Sequence, residues 1–364
     1  MKIKLNCPST GEEEARAASD VIRSGNLLLG DKVKQFEEEF AKYIGAKYVI
    51  ATSSGSTALH TMLLANGLGT FDEVITTPFS FVATSTSILH TGARPVFVDI
   101  EKNTFNLDVS LIEEKITKRT KAILPVSLYG HPCSIDLMIT IAEKHGLKVF
   151  EDCAQAHGSE INDKKVGSYV DSAFSFDPTK NMTAGCGGAV LTNNEEVAER
   201  ARMIRVHGAK KQYQHEFLGY NFKMSDVHAA IAIEQLKKLP SILEKRIENA
   251  QYLSKGLQDV FWLVPPVIRS NCKHNFHKYV VRVPEKRREE IMKTLAEATP
   301  HGIETKVFYP KPIPEQPLFI NFGYKEELPV TERTSKEVLA LPVHHGLTKV
   351  DLDYIIETLH KIKL

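Results

Sequence analysis

Three short stretches carry side chains whose types and spacing could do chemistry. In "SAFSFDPTKNMTAGCGGAVLTNN", residues 172–194, Lys180 stands between two runs with strand character, residues 173–176 and 188–192. Its neighbours Ser175, Thr179, Asn181, Thr183, Gly185 and Gly187 are small or hydroxylic, and no nearby acid is expected to solvate the ammonium. A snorkelling surface lysine is the plain interpretation. A partly desolvated lysine instead has a lowered pKa, which leaves a fraction as the nucleophilic amine suited to Schiff-base chemistry. Asp152 ends the apolar run "LKVFED". An unpaired carboxylate at such a position is costly to bury, so it requires a positive partner, with a salt bridge or a cap as the plain interpretation. After "KYVIAT" comes "SSGSTALH", where residues 53–56 lead into a helix. The free N–H groups and the dipole of a helix start make a phosphate cradle. Gly55 would let the backbone approach closely, and Ser56 or Thr57 would add a hydroxyl; an ordinary N-cap serine is the alternative. Pyridoxal phosphate would satisfy all three stretches together: its phosphate meets residues 54–57, its protonated ring nitrogen Asp152, and its aldehyde Lys180.

The elements that must position these groups follow from periodicity. "STGEEEARAASDVIRSG" opens with a capping-box pattern, Thr10 to Glu13, and Val33, Phe36, Phe40 and Tyr43 form one helical stripe. Short β-branched runs recur in "KYVIAT", "EVITT", "RPVFVDI", "KAILPVS", "LKVFED", "AFSF" and "GAVLT", separated by helical segments such as "STALHTMLLANG" and "IDLMITIAEKHG". Apolar strands split by helices predict an α/β fold with a mostly parallel sheet covered by helices on both faces. Two long helical patterns follow, "SDVHAAIAIEQLKKL" and "SILEKRIENAQYLSKGLQDV", then a strand "HKYVVRV" and a closing helix with the stripe Leu352, Ile355, Ile356, Leu359. The boundary is placed near residue 245, between a large cofactor-binding domain (1–245) and a smaller C-terminal α/β domain (246–364). Ligands of open parallel sheets bind beyond the strands' carboxyl ends, which is where all three stretches fall.

Composition excludes several classes. Lys+Arg 46 against Asp+Glu 45 leaves no bulk charge to attract nucleic acid or a membrane surface. No apolar run reaches the length that spans a bilayer, and "MKIKLNCPSTGEEE" turns acidic, unlike a secretory signal. Five scattered cysteines without a C-x-x-C pair speak against disulfides and zinc and fit a reducing cytoplasm. No metal site is expected: the pair His344–His345 reads as packing at a helix end. "EKRREE" at 285–290 reads as a solvated helix start, and His131 could touch a ligand or merely close a turn. No G-x-G-x-x-G follows the first strand, which argues against a nicotinamide dehydrogenase.

The chain also resembles a family, the DegT/StrS sugar aminotransferases, pyridoxal-phosphate enzymes of the aspartate-aminotransferase-like fold type I. The likeness runs nearly end to end, through "SGNLLLGDKVKQFEEEFAKYIGAKYVIATSSGSTALH", "PFSFVAT", "PVSLYGHP", "EDCAQAHGS", "SFDPTKN", "GGAVLTNN", "GYNFKMSD", "GIETKVFYPKP" and "LALPVHHGLT". The resemblance implies that Lys180 is the lysine joined to the cofactor and Asp152 the carboxylate on its ring nitrogen. It places Gln155 near the ring oxygen, Gly55, Ser56 and Ser175 on the phosphate, and Phe81 and Ala154 against the two ring faces. It further implies a homodimer with a shared active site, in which Asn221 and Lys223 of the second subunit reach the phosphate; the position of Lys223 is often arginine. Replacing the lysine by histidine is the family's route to dehydratases, so Lys180 favours amino transfer. The expected activity moves an amino group, with glutamate as donor, to a keto group of a nucleotide-linked deoxysugar, in amino-sugar and polysaccharide biosynthesis. Alternatives left open are another ketone such as a cyclitol, and a regulatory or scaffolding member without turnover. Asp177, Cys186 and Pro314 depart from the family pattern near the expected sugar site; Cys186 reads as a small buried residue.

Overall fold

The computed structural model describes residues 2–363. Seven of the predicted apolar runs form one sheet: β1 (Tyr48–Thr52), β2 (Glu73–Thr76), β3 (Arg94–Phe97), β4 (Thr120–Leu124), β5 (Lys148–Asp152), β6 (Asp171–Ser175) and β7 (Gly188–Thr192). Their order is β1-β7-β6-β5-β4-β2-β3. All pairs are parallel except those of β7, which runs antiparallel to both β1 and β6. The reason is local: residues 176–187 join β6 to β7 without a crossover helix, and only a crossover returns a chain in parallel.

Helices α1 (Glu12–Ser24), α2 (Asp31–Ile44), α3 (Gly55–Ala65), α4 (Ala83–His90), α5 (Ile135–His145), α6 (Glu195–Arg205) and α7 (Asp226–Gly256) accompany the sheet. Alternation along each strand feeds two cores. Ile50, Ala173 and Val190 point to a cluster with α3 and α6, while Val49, Phe174 and Leu191 point to one with α2 and α7. In the second cluster Phe36 and Phe40 meet Phe176 edge-on, at ring separations of 5.2 and 5.3 Å. These contacts pin the residue from which the Lys180 loop departs.

Two local expectations need correction. The capping box of α1 is shifted by one residue: the Glu14 carboxylate, not that of Glu13, accepts the N–H of Gly11 at 2.7 Å. Glu14 wins because it is buried beside Gln235 and Lys238, which hold it in place. The two long helical patterns are one helix, α7, running through Pro240. Proline inside a helix costs about 3 kcal/mol. Here Leu236, Leu239, Ile242 and Leu243 are all buried around it, and tertiary packing outweighs the lost backbone bond.

Later elements include α8 (Arg288–Glu297), α9 (Pro317–Asn321), α10 (Pro329–Glu337), α11 (Lys349–Lys361) and the antiparallel pair β8 (Tyr279–Arg282) and β9 (Val338–Leu341). Phe319 of α9 packs with Phe97 of β3, while α8, α11, β8 and β9 share a core with the end of α7, including Leu253, Tyr279, Leu341, Leu352 and Ile355. Ile3 joins this core: its N–H donates to the Gly302 carbonyl at 2.8 Å and its carbonyl accepts the Glu304 N–H at 2.9 Å. Residue 245 falls within α7, and the end residues Met1 and Leu364 of the two predicted domain spans lie outside the described residues. No described helix is long and apolar enough to cross a membrane.

Asp99 ties the C-terminal elements to the sheet. Its buried carboxylate accepts the N–H groups of Val330 and Thr331, both at 2.9 Å, and the Thr331 hydroxyl at 2.5 Å, capping α10 from beyond β3. Asp99→Ala leaves these donors without an acceptor, and we expect a loss of about 2 kcal/mol, read as a lower thermal midpoint. An unchanged midpoint would show that α10 is held by its apolar contacts alone.

Candidate active site

The register of the sheet brings the site together. Gly188 pairs with both Thr52 and Ser175, and Asp152 pairs with Ala173. The carboxyl ends of β1, β6 and β5 therefore lie side by side, with the Lys180 loop above them. They bound a cavity of about 400 Å³, whose wall includes Gly55, Ser56, Phe81, Asp152, Ala154, Gln155, Ser175 and Lys180. Eight expected residues thus converge on one space.

Each is held for a physical reason. The cap of α3 is reciprocal: Ser54 Oγ accepts the Thr57 N–H at 3.2 Å and Thr57 Oγ1 accepts the Ser54 N–H at 3.0 Å. The N–H groups of Gly55 and Ser56, in the helix's first turn, have no intrahelical acceptor. A side chain on Gly55 would place Cβ 2.6 Å from Cβ of Ser175, so only glycine lets the two strand ends close. Asp152 is buried, and its Oδ2 accepts the Thr84 hydroxyl at 2.8 Å while Oδ1 accepts the Ala154 N–H at 3.1 Å. Burial pushes its pKa up, opposed by those two bonds and by the Lys180 charge. No described residue forms an ion pair with it, so the positive partner expected from the sequence is not a neighbouring side chain.

Lys180 is half-buried, and desolvation lowers its pKa, with Asp152 and Asp177 pulling the other way. The reading of an acid-free surround therefore missed Asp177. That residue also shapes the loop: its Oδ1 accepts the Thr179 N–H at 2.9 Å and hydroxyl at 2.6 Å, and its carbonyl accepts the Lys180 N–H at 2.9 Å. Gln155 is fixed at both ends, Oε1 accepting the Tyr129 N–H at 2.9 Å and Nε2 donating to the Tyr309 hydroxyl at 3.2 Å. Phe81, 58% exposed, presents its ring at the cavity.

Other expectations divide. Asn221 and Lys223 do not enter this chain's own cavity; Asn221 bridges to Val206 and Lys223 to Thr52. Cys186 is corrected: it is exposed and lines the cavity, its thiol donating to the Ser53 carbonyl, because the left-handed Gly185 turns it outward. Pro314 is buried in a turn and takes no part in the wall. His131 closes a turn, buried with Nδ1 against the Pro132 carbonyl at 2.8 Å. His344 Nε2 meets the Lys4 carbonyl at 3.1 Å. The sequence reading assigned no role to Thr84, Tyr129, Lys278, Lys306, Phe308 or Tyr309, all in the wall. Thr84 lies in the first turn of α4, its N–H donating to the Phe81 carbonyl at 3.2 Å. The lysines and aromatics of the C-terminal part carry no local signal of convergence.

Chemically, the site offers free helix N–H groups for an anion, a buried acid for a protonated ring nitrogen, and a low-pKa amine for a carbonyl. Residues 8–360 match the model of the DegT/DnrJ/EryC1/StrS aminotransferase family. A Geobacillus stearothermophilus protein called pleiotropic regulatory protein is 43% identical, covering 95% of this chain and 93% of the relative. The dTDP-3-amino-3,6-dideoxy-alpha-D-galactopyranose transaminase of Aneurinibacillus thermoaerophilus is 39% identical, covering 96% and 95%. The solved structure of NtdA from Bacillus subtilis with bound cofactor PMP superposes with a TM-score of 0.91 at 33% identity, covering 99% of this chain and 84% of that one.

The amine of Lys180 is expected to titrate below the ordinary lysine range. Asp152→Asn removes a charge that holds the ammonium form, so the titration should move lower still. The pH dependence of Lys180 acetylation, followed by peptide mass spectrometry, checks both; an upward move in Asp152→Asn would contradict the coupling.

Proposed function

Because the chain belongs to the DegT/DnrJ/EryC1/StrS aminotransferase family, we infer that this cavity is its active site. The chain is a pyridoxal-phosphate-dependent sugar-nucleotide aminotransferase. Glutamate is the proposed amino donor, and the acceptor a keto group on a nucleotide-linked deoxysugar.

The residues present fit the cofactor. The observation that carries the reading is the pairing, in one cavity, of a desolvated Lys180 with a buried Asp152 that has no ion-pair partner among the described residues. Gly55, Ser56 and Ser175 would hold the phosphate and Asp152 the ring nitrogen; Phe81 and Ala154 would flank the ring and Gln155 its oxygen. When bound, pyridoxal phosphate supplies an electron sink for the carbanion formed at the substrate carbon. Asp152 would keep the ring nitrogen protonated. The Lys180 amine would remove and return the substrate proton as general base and acid. Thr84 and the Ala154 N–H orient the Asp152 carboxylate for that task.

Asn221 and Lys223 are proposed to act in the cavity of a second copy, in a homodimer, since they lie outside their own. We also propose a cytoplasmic location and a division near residue 245 between the large and small domains. The intact pair of Lys180 and Asp152 supports turnover over a purely regulatory role. Near-balanced charge gives nucleic acid no purchase.

Purified protein should gain absorbance on addition of pyridoxal phosphate, and borohydride should fix the label at Lys180. Lys180→Ala is expected to cost about a thousandfold in glutamate-dependent amination of nucleotide ketosugars. Asp152→Asn is expected to cost about a hundredfold. Near-normal turnover in Asp152→Asn would remove the role given to that acid.

A further inference from the structure

Lys278 is a cation in the wall that the chemistry above does not use. It precedes β8, its N–H donates to the Tyr129 carbonyl at 3.2 Å, and it is 7% exposed. Its ammonium forms no hydrogen bond or ion pair with a described residue; it stands 5.2 Å from the centroid of the Phe308 ring. Lys306, exposed, stands 5.4 Å from the same ring, and both lysines line the cavity. Burial, then the charges of Arg246, Lys180 and Lys306, lower the pKa of Lys278 to about 7, against the pull of Asp177. Asp177 is already bound by Thr179. A buried ammonium left in this state is stabilised by an anion that enters the cavity.

Position narrows which anion. The helix N–H groups of Gly55 and Ser56 lie with Ser175, at the ends of β1 and β6. Lys278 hangs from Tyr129, whose own N–H is bound by Gln155, beyond the ends of β4 and β5. It therefore sits away from the phosphate cradle and within electrostatic reach of Lys180. An amino-acid donor must bring its nitrogen to the place of the Lys180 amine, and its α-carboxylate is one carbon from that nitrogen. The diphosphate of a nucleotide sugar is separated from its reacting carbon by much of the sugar ring.

We propose that Lys278, with Lys306 at the rim, receives the carboxylates of a dicarboxylic amino donor and so sets donor specificity. The proposal rests on the transaminase reading above. The test is calorimetric titration of the cofactor-loaded enzyme with glutarate, a dicarboxylate without an amine, and separately with thymidine diphosphate. Lys278→Met should weaken glutarate by about tenfold or more and leave the nucleotide within about twofold, while Lys278→Arg keeps most of the glutarate affinity. Unchanged glutarate affinity in Lys278→Met overturns the proposal, as does a selective loss of nucleotide binding. Should that variant not take up cofactor, glutarate must protect Lys278 of the wild-type enzyme from acetic anhydride, read by peptide mass spectrometry; no protection overturns it equally. A wild-type enzyme that takes up no cofactor and ignores glutamate would instead sink the underlying transaminase reading.

Discussion

The site depends on one buried carboxylate that forms no ion pair among the described residues. Asp152 ends a central strand, where burial pushes its proton affinity up, and a hydroxyl, a backbone N–H and, less strongly, the charge of Lys180 offset that cost. Neither donor brings a full positive charge. The fold thus keeps an acid in an electrostatic state that a protonated ring nitrogen completes. Most of the surrounding architecture can be understood as holding this acid and the Lys180 amine at workable positions.

That holding is done by different physical means on each side. Below Lys180, the rings of Phe36, Phe40 and Phe176 lock the loop's root into the core, while Asp177 turns the chain with bonds to Thr179. At the phosphate end, closeness is the constraint: the strand ends of β1, β6 and β7 approach so tightly that glycine is required at 55. On the Gln155 side, a chain of hydrogen bonds through Tyr129 and Tyr309 connects the sheet to the C-terminal elements. Rigid packing sets the backbone, and polar networks set the direction of the side chains.

Much of this was legible in the sequence because it is local. Each strand of the large sheet announced itself by an apolar run, and the candidate residues Gly55, Asp152 and Lys180 end a strand or follow one within five residues, so they could be picked out before any coordinates. The misses arise where sequence distance hides spatial contact. Lys278 and Tyr309 sit in strand-like text with no polar oddity of their own, and only the docking of the C-terminal elements places them in the wall. The two helical patterns on either side of Pro240 join into one helix because of burial around the proline that the sequence does not display. Cys186 was misjudged for the same reason: its exposure is decided by the handedness of Gly185. The capping box slipped to Glu14 because partners more than two hundred residues away choose between adjacent glutamates.

The course of the first few residues has a consequence for how the molecule is made. Ile3 is laid beside Ile303, and Asn6 donates to the Pro178 carbonyl, at the edge of the lysine loop. A ribosome releases the opening segment first, yet its berth exists only after some three hundred further residues have emerged. Closing so long a loop is entropically unfavourable, and the sheet can collapse without it. Residues 3 and 6 couple the C-terminal elements to the rim of the lysine loop, so that a change in one is felt at the other.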